Sequence, residues 1–119
     1  MSEPTFPATA YKVLTGDEMA ALEAQGEFAG SQADVRDGYI HLSTAEQLTA
    51  TVDKHYAGQT GLHVAAVDVE AVGPSLKWEA AREGQLFPHL YDVLLLDTVV
   101  AYSPLERGDD GQVRLPVTG

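Results

Sequence analysis

Asp37-Gly38-Tyr39-Ile40-His41-Leu42-Ser43 is the stretch on which the fold turns. An Asp-Gly turn signal is followed by a run that alternates polar-tipped and apolar side chains. Along a strand, successive side chains point to opposite faces. Tyr39, His41 and Ser43 are therefore expected on one face, with Ile40 and Leu42 buried on the other. A core strand gains nothing from three polar-tipped residues in register, so the first face is expected to border a cleft. Phe87-Pro88-His89-Leu90-Tyr91 again sets a histidine inside an apolar run. One such histidine is ordinarily a structural group satisfied by a hydrogen bond. Two in one short chain point to a shared site.

Around these segments the chain reads as strands with two helices in its first half. Ala10 to Leu14 looks like a strand, and Thr15 and Glu18 have capping-box spacing for a helix that stops at Gly26. Phe28 to Gly38 shows no period and reads as a loop that delivers Asp34, Arg36 and Asp37 to the second strand. Ser43 or Thr44 is the expected cap of the next helix, and Ser43 and Glu46 repeat the capping-box spacing. Leu48, Val52, His55 and Tyr56 then form one helical stripe, with His55 in a structural role. Leu62 to Val69 is apolar on both faces, as a central strand should be, and His63 at its start carries no role. Leu76, Trp78 and Ala80 alternate with Lys77 and Glu79, which predicts a buried Trp78. Val93 to Leu96 and Thr98 to Tyr102 are further strands, and Val113 to Leu115 a weak one. The expected architecture is a single α+β domain over residues 10–104, with an extended leader (1–9) and a polar C-terminal segment (105–119).

A chain of 119 residues suits one hydrophobic core, and 45% apolar content suits a soluble globule. Lys and Arg number 7 against 18 Asp and Glu, a net charge of −11, and the basic residues are scattered. That balance argues against nucleic-acid partners but leaves room for a small anionic ligand in a local basic pocket. The absence of cysteine excludes disulfides, thiol nucleophiles and thiolate zinc sites. The N-terminus is acidic at Glu3 and has no apolar signal core, and no apolar run approaches a membrane span. A cytoplasmic protein without membrane contacts is expected.

The candidate cleft residues are His41, His89 and Glu79 for catalysis, with Lys12, Asp34, Asp37, Tyr39, Ser43, Lys77 and Tyr91 for ligand binding. Imidazole and carboxylate also suit a metal, but no fixed ligand spacing supports one and none is assigned. A serine hydrolase lacks its Gly-x-Ser-x-Gly elbow.

These segments resemble a bacterial family known as domain of unknown function 952. Its marks are Tyr11-Lys12, a Gly-Ser-x-x-Asp ending at Asp34, the Asp37 to Ser43 segment, Lys77-Trp78-Glu79, and Phe87 to Tyr91. The likeness spans about Ala10 to Val100. The resemblance implies an ADP-ribosyltransferase-like fold of mixed β-sheets, shared with NAD-dependent RNA 2′-phosphotransferases. Those enzymes carry one histidine in a Tyr-His-Gly-Thr strand and another in a Val-His-Leu-Ser segment. Ile40-His41-Leu42-Ser43 matches the second, whereas Lys12 stands where the first histidine would fall. The implied function is binding of an NAD-, ADP-ribose- or other nucleotide-type small molecule between His41 and His89, extending to group transfer. The alternative is a non-catalytic binding domain that keeps the fold.

Overall fold

The computed structural model describes residues 6–116. Met1 to Thr5 of the expected leader and residues 117–119 of the C-terminal segment lie outside the described residues. β1 (Thr9–Leu14) runs antiparallel to β4 (His63–Asp68), which pairs on its other side with β8 (Val99–Pro104). Val64 to Val67 are fully buried, so β4 is the central strand its two-sided apolar pattern predicts. Alternate residues serve two cores: Ala10, Leu14, Ala65 and Val67 in one, Tyr11, Val13, Val64 and Ala66 in the other.

α1 (Gly16–Gln25) begins at the expected capping box. Thr15 Oγ1 accepts the Glu18 N–H at 3.1 Å, and Glu18 accepts the Thr15 N–H at 2.9 Å. Gly26 ends the helix in the left-handed region at φ 76°. β2 (Glu27–Phe28) pairs with β7 (Leu94–Leu95) as a small second sheet.

The loop expected over Phe28 to Gly38 contains a helix instead, α2 (Gln32–Asp37). Ser31 and Asp34 make a second capping box, with Asp34 accepting the Ser31 N–H at 2.9 Å and Ser31 accepting the Asp34 N–H at 3.2 Å. Gly38, at φ 88°, turns the chain into β3 (Ile40–His41).

β3 is shorter than the Tyr39 to Ser43 run suggests. Ser43 leaves it to bridge β1, exchanging backbone hydrogen bonds of 2.8 and 2.9 Å with Tyr11. Of the two expected caps it is Thr44 that serves, and its partner is Gln47 in place of the Ser43–Glu46 pair, with reciprocal bonds of 3.0 and 3.2 Å. α3 (Leu48–His55) therefore starts later, and the Ser43 hydroxyl bonds Thr51 at 2.9 Å. Leu48 and Val52 are buried and Tyr56 packs beside them, but His55 is exposed rather than part of that stripe.

After β4 comes a short α4 (Val69–Val72), capped by Asp68. β5 (Leu76–Ala80) and β6 (Leu86–Leu90) follow, and with β3 they make the third sheet, in the order β3-β6-β5. Among the described residues the result is one compact α+β domain with three small antiparallel sheets and four α-helices. Parallel strands need a crossover that returns to the same sheet. Here α1, α3 and α4 each join strands of different sheets, so the sheets are antiparallel rather than mixed. The two helices beyond those expected are α2 and α4, both too short to carry an apolar stripe.

Trp78, expected to be mostly buried, is half-buried and packs against the core. One side packs on the first core, and the other stacks on Phe6 at 4.7 Å with an 8° interplanar angle. His63 is half-buried, and its Nδ1 has no hydrogen-bond partner. Among the described residues no helix is long and apolar enough to cross a membrane.

Candidate functional site

α2 and the β3 strand are bound together by one buried carboxylate. Asp34 is 2% exposed and touches Lys12 Nζ at 3.0 Å through Oδ2, His41 Nδ1 at 2.6 Å through Oδ1, and the His41 N–H at 3.0 Å. Lys12, 3% exposed, also donates to the His41 carbonyl at 3.1 Å. Burial opposes ionisation of Asp34. The His41 hydrogen bond and the Lys12 cation outweigh it and hold the carboxyl well below the usual range.

The opposite edge of the His41 ring meets a second acid. Nε2 lies 2.9 Å from Asp37 Oδ2, and Asp37 is gripped in turn by Arg36 at 3.0 and 3.3 Å. Asp37 is held below its ordinary value, chiefly by the Arg36 hydrogen bond. Each ring nitrogen of His41 thus faces a carboxylate oxygen, and both contacts are hydrogen bonds together only when both nitrogens carry a proton. Lys12, Asp34, His41, Asp37 and Arg36 form a chain of polar contacts from the core to the surface.

β6 brings the second histidine across the sheet. His89 is the register partner of His41 on one side and of Lys77 on the other. The two imidazole centroids lie 5.9 Å apart at a 67° angle. Tyr39 sits against both, stacked on His89 at 4.0 Å and tilted on His41 at 4.7 Å. His89 Nδ1 meets Glu79 Oε1 at 2.9 Å, and the Tyr91 hydroxyl donates to that same oxygen at 2.6 Å. Those two bonds, Tyr91's first, keep Glu79 below the usual carboxylate range. The same bond pushes the Tyr91 phenol up to about 12. Lys77 Nζ stands 5.3 Å from the Tyr91 ring centre.

A cleft of about 720 Å³ opens beside these groups, within the usual size of a small-molecule site. Lys12, Asp34, Asp37, Tyr39, His41, Ser43 and His89 of the expected set line it. Glu79, Lys77 and Tyr91 lie outside the wall, so the tie between Glu79 and the cleft runs through His89. Ile40 and Leu42 are each 2% exposed; Ile40 takes no part in the cleft wall, whereas Leu42, expected on the opposite face, lines it. Ser43 lines the cleft but is itself 3% exposed. Sequence reasoning missed Lys54, His55 and Tyr56 as wall residues. Burial, with the Glu18 and Asp34 charges, pushes the Tyr56 phenol up to about 12. The legible signal was the last turn of α3, where residues 54 to 56 follow one another around the helix end. Among the described residues no three acidic or histidine side chains are grouped to hold a metal ion.

The fold and site define a class: a small antiparallel α+β domain presenting two histidine–carboxylate pairs, joined by a tyrosine, at one cleft. More particularly, the chain belongs to the family described as protein of unknown function (DUF952), whose pattern matches residues 13–102. The fold is similar to the crystal structure of protein CC0527 from Caulobacter crescentus. The TM-score is 0.81 at 44% identity, covering 89% of this chain and 93% of that one. The solution NMR structure of CC0527 gives a TM-score of 0.76 at the same identity, over 89% and 91% of the two chains. No curated protein matches the chain.

Proposed function

We propose that the protein binds an NAD-, ADP-ribose- or other nucleotide-type small molecule in the His41/His89 cleft of an ADP-ribosyltransferase-like fold. The observation that carries this is the stacked Tyr39–His89 pair in the wall of the cleft, with the His41 imidazole beside it. Flat aromatic surface next to charged and hydrogen-bonding groups suits a planar base linked to an anionic group. The Ile40-His41-Leu42-Ser43 likeness to the second histidine motif of the transferases supports the same ligand class. The net charge of −11 favours a small molecule over a nucleic-acid chain or an anionic membrane. A cysteine-free chain fits a cytoplasmic setting.

In the catalytic form of this function the two histidines have different tasks. Ionised Glu79 accepts from Nδ1–H of His89, which leaves Nε2 with its lone pair. His89 is then the base. An acceptor hydroxyl gives its proton to Nε2 as its oxygen bonds the ribose C1′. The bond from C1′ to nicotinamide breaks, and its electron pair leaves with nicotinamide. His41, with both nitrogens engaged by carboxylates, is a positioning group and does not act as the base. That full engagement also favours the second reading, a binding domain without turnover.

A thermal-shift screen against NAD, ADP-ribose, mononucleotides and divalent metals tests the proposal, because a ligand that binds only the native state raises its melting temperature. At 100 times Kd the expected gain is about 2.7 kcal/mol. No shift with any nucleotide at millimolar concentration sinks the nucleotide reading. A shift without release of nicotinamide from NAD selects the non-catalytic form.

A further inference from the structure

The cleft carries a charge balance unlike the rest of the molecule. Of the described residues lining it, Lys12, Arg36 and Lys54 stand against Glu18, Asp34 and Asp37, three of each sign. The whole chain has 7 bases against 18 acids. The cleft wall is therefore balanced in charge where the chain as a whole is acidic, and clefts focus charge.

Within that wall the cations differ. Lys12 is spent on Asp34, and Arg36 is bound through two nitrogens to Asp37. Lys54, in the last turn of α3, forms no ion pair among the described residues. Its adjacent acid, Asp53, is held by Arg107 at 2.5 Å, and Arg107 is fixed to the Gly111 carbonyl at 2.8 Å. Asp53 and Lys54 are consecutive on α3 and so do not face each other, and Asp53 is engaged by the segment after β8. A lysine near a helix C-terminus commonly serves only the helix dipole. Such a lysine has no need to line a cleft, as Lys54 does.

We propose that Lys54 is the anion-recognition residue of the cleft and that the ligand is a phosphate-bearing small molecule, its phosphate at Lys54 and its ring on the Tyr39–His89 face. This rests on the nucleotide-type reading above and adds the residue that holds the charge. An ammonium on a flexible stem binds phosphate as a point charge, so recognition tolerates variation in the rest of the ligand.

Calorimetric titration of wild type, Lys54→Ala and Lys54→Glu with ADP-ribose and with adenosine tests it, circular dichroism confirming that the variants fold. ADP-ribose affinity should fall about tenfold in Lys54→Ala, the loss of one charge-assisted contact, and further in Lys54→Glu, with adenosine binding unchanged. Equal ADP-ribose affinity in wild type and Lys54→Glu overturns the proposal and leaves the nucleotide reading standing. If wild type binds neither compound, the nucleotide reading fails by itself, and inorganic pyrophosphate then decides about Lys54. Amide NMR shifts at Lys54 that vanish in Lys54→Glu support an anion site, and absent shifts remove it.

Discussion

His41 and His89 are partners in one antiparallel register, yet their surroundings differ in kind. The His41 ring is clasped at both nitrogens by carboxylates, one of them buried against Lys12. The His89 ring is held at one nitrogen by a half-exposed glutamate and stacked on Tyr39. Identical side chains a few ångströms apart are thus engaged differently, one at both ring nitrogens and the other at one. What separates them is the number of carboxylates that reach each ring.

The strongest way to break the contrast is to empty the His41 clasp. Asp34→Ala leaves Lys12 as an uncompensated buried cation, and loss of one partner of a buried pair costs about 3–5 kcal/mol. Urea denaturation should show that loss. A midpoint close to wild type would mean that Lys12 finds water and the clasp contributes little.

Acid acts on the same side of the comparison. The folded value of the Asp34 carboxyl is depressed relative to its ordinary 3.8. Its stabilisation is therefore complete above that ordinary value and is lost as pH falls toward the folded one. The unfolding free energy of wild type should fall through the acid range more steeply than that of Asp34→Asn. Parallel curves would assign the acid sensitivity to other groups.

The His89 side is tested by Glu79→Gln. The amide removes the charged acceptor that fixes the Nδ1–H tautomer, so affinity for any ligand that wild type binds should drop about tenfold, with the melting temperature hardly moved. ¹⁵N shifts of the His89 ring should report a changed tautomer balance. Unchanged affinity for every such ligand would leave Glu79 a surface residue. The smallest expected effect is that of Tyr91→Phe. Removing the hydroxyl takes away the leading cause of the depressed Glu79 value, so that carboxyl should titrate at higher pH by NMR while the fold is unchanged. A Glu79 titration identical to wild type would detach Tyr91 from the pair.

How much of this could be read beforehand depends on how far each signal reaches along the chain. The Thr15 capping box, the buried Ile40 and Leu42 and the central β4 strand are local patterns, and the chain states them outright. α2 also had its caps in view, Ser31 with Asp34 and then Gly38, yet it reads as a loop because its only buried residue is Asp34. A helix whose inward anchor is a carboxylate shows no hydrophobic period. The Lys12–Asp34 pair spans 22 positions, and no spacing rule connects a strand lysine to a helix aspartate at that range. Trp78 shows the limit from the other direction. Alternation predicts its inward face correctly, but the Phe6 cover on its outer face comes from a segment with no strand pattern. That half-burial lowers the expected cost of Trp78→Ala below the ~3–5 kcal/mol of a fully enclosed aromatic.

The Phe6–Trp78 stack has an optical consequence. Trp78 is the sole tryptophan, so the intrinsic emission of the protein comes from one indole with a phenyl ring laid over it. Release of Phe6 would uncover that indole to water without unfolding either core, shifting the emission to the red. An early red shift that precedes the loss of far-ultraviolet ellipticity on warming would report this detachment alone, and Phe6→Ala should show the shifted spectrum from the start.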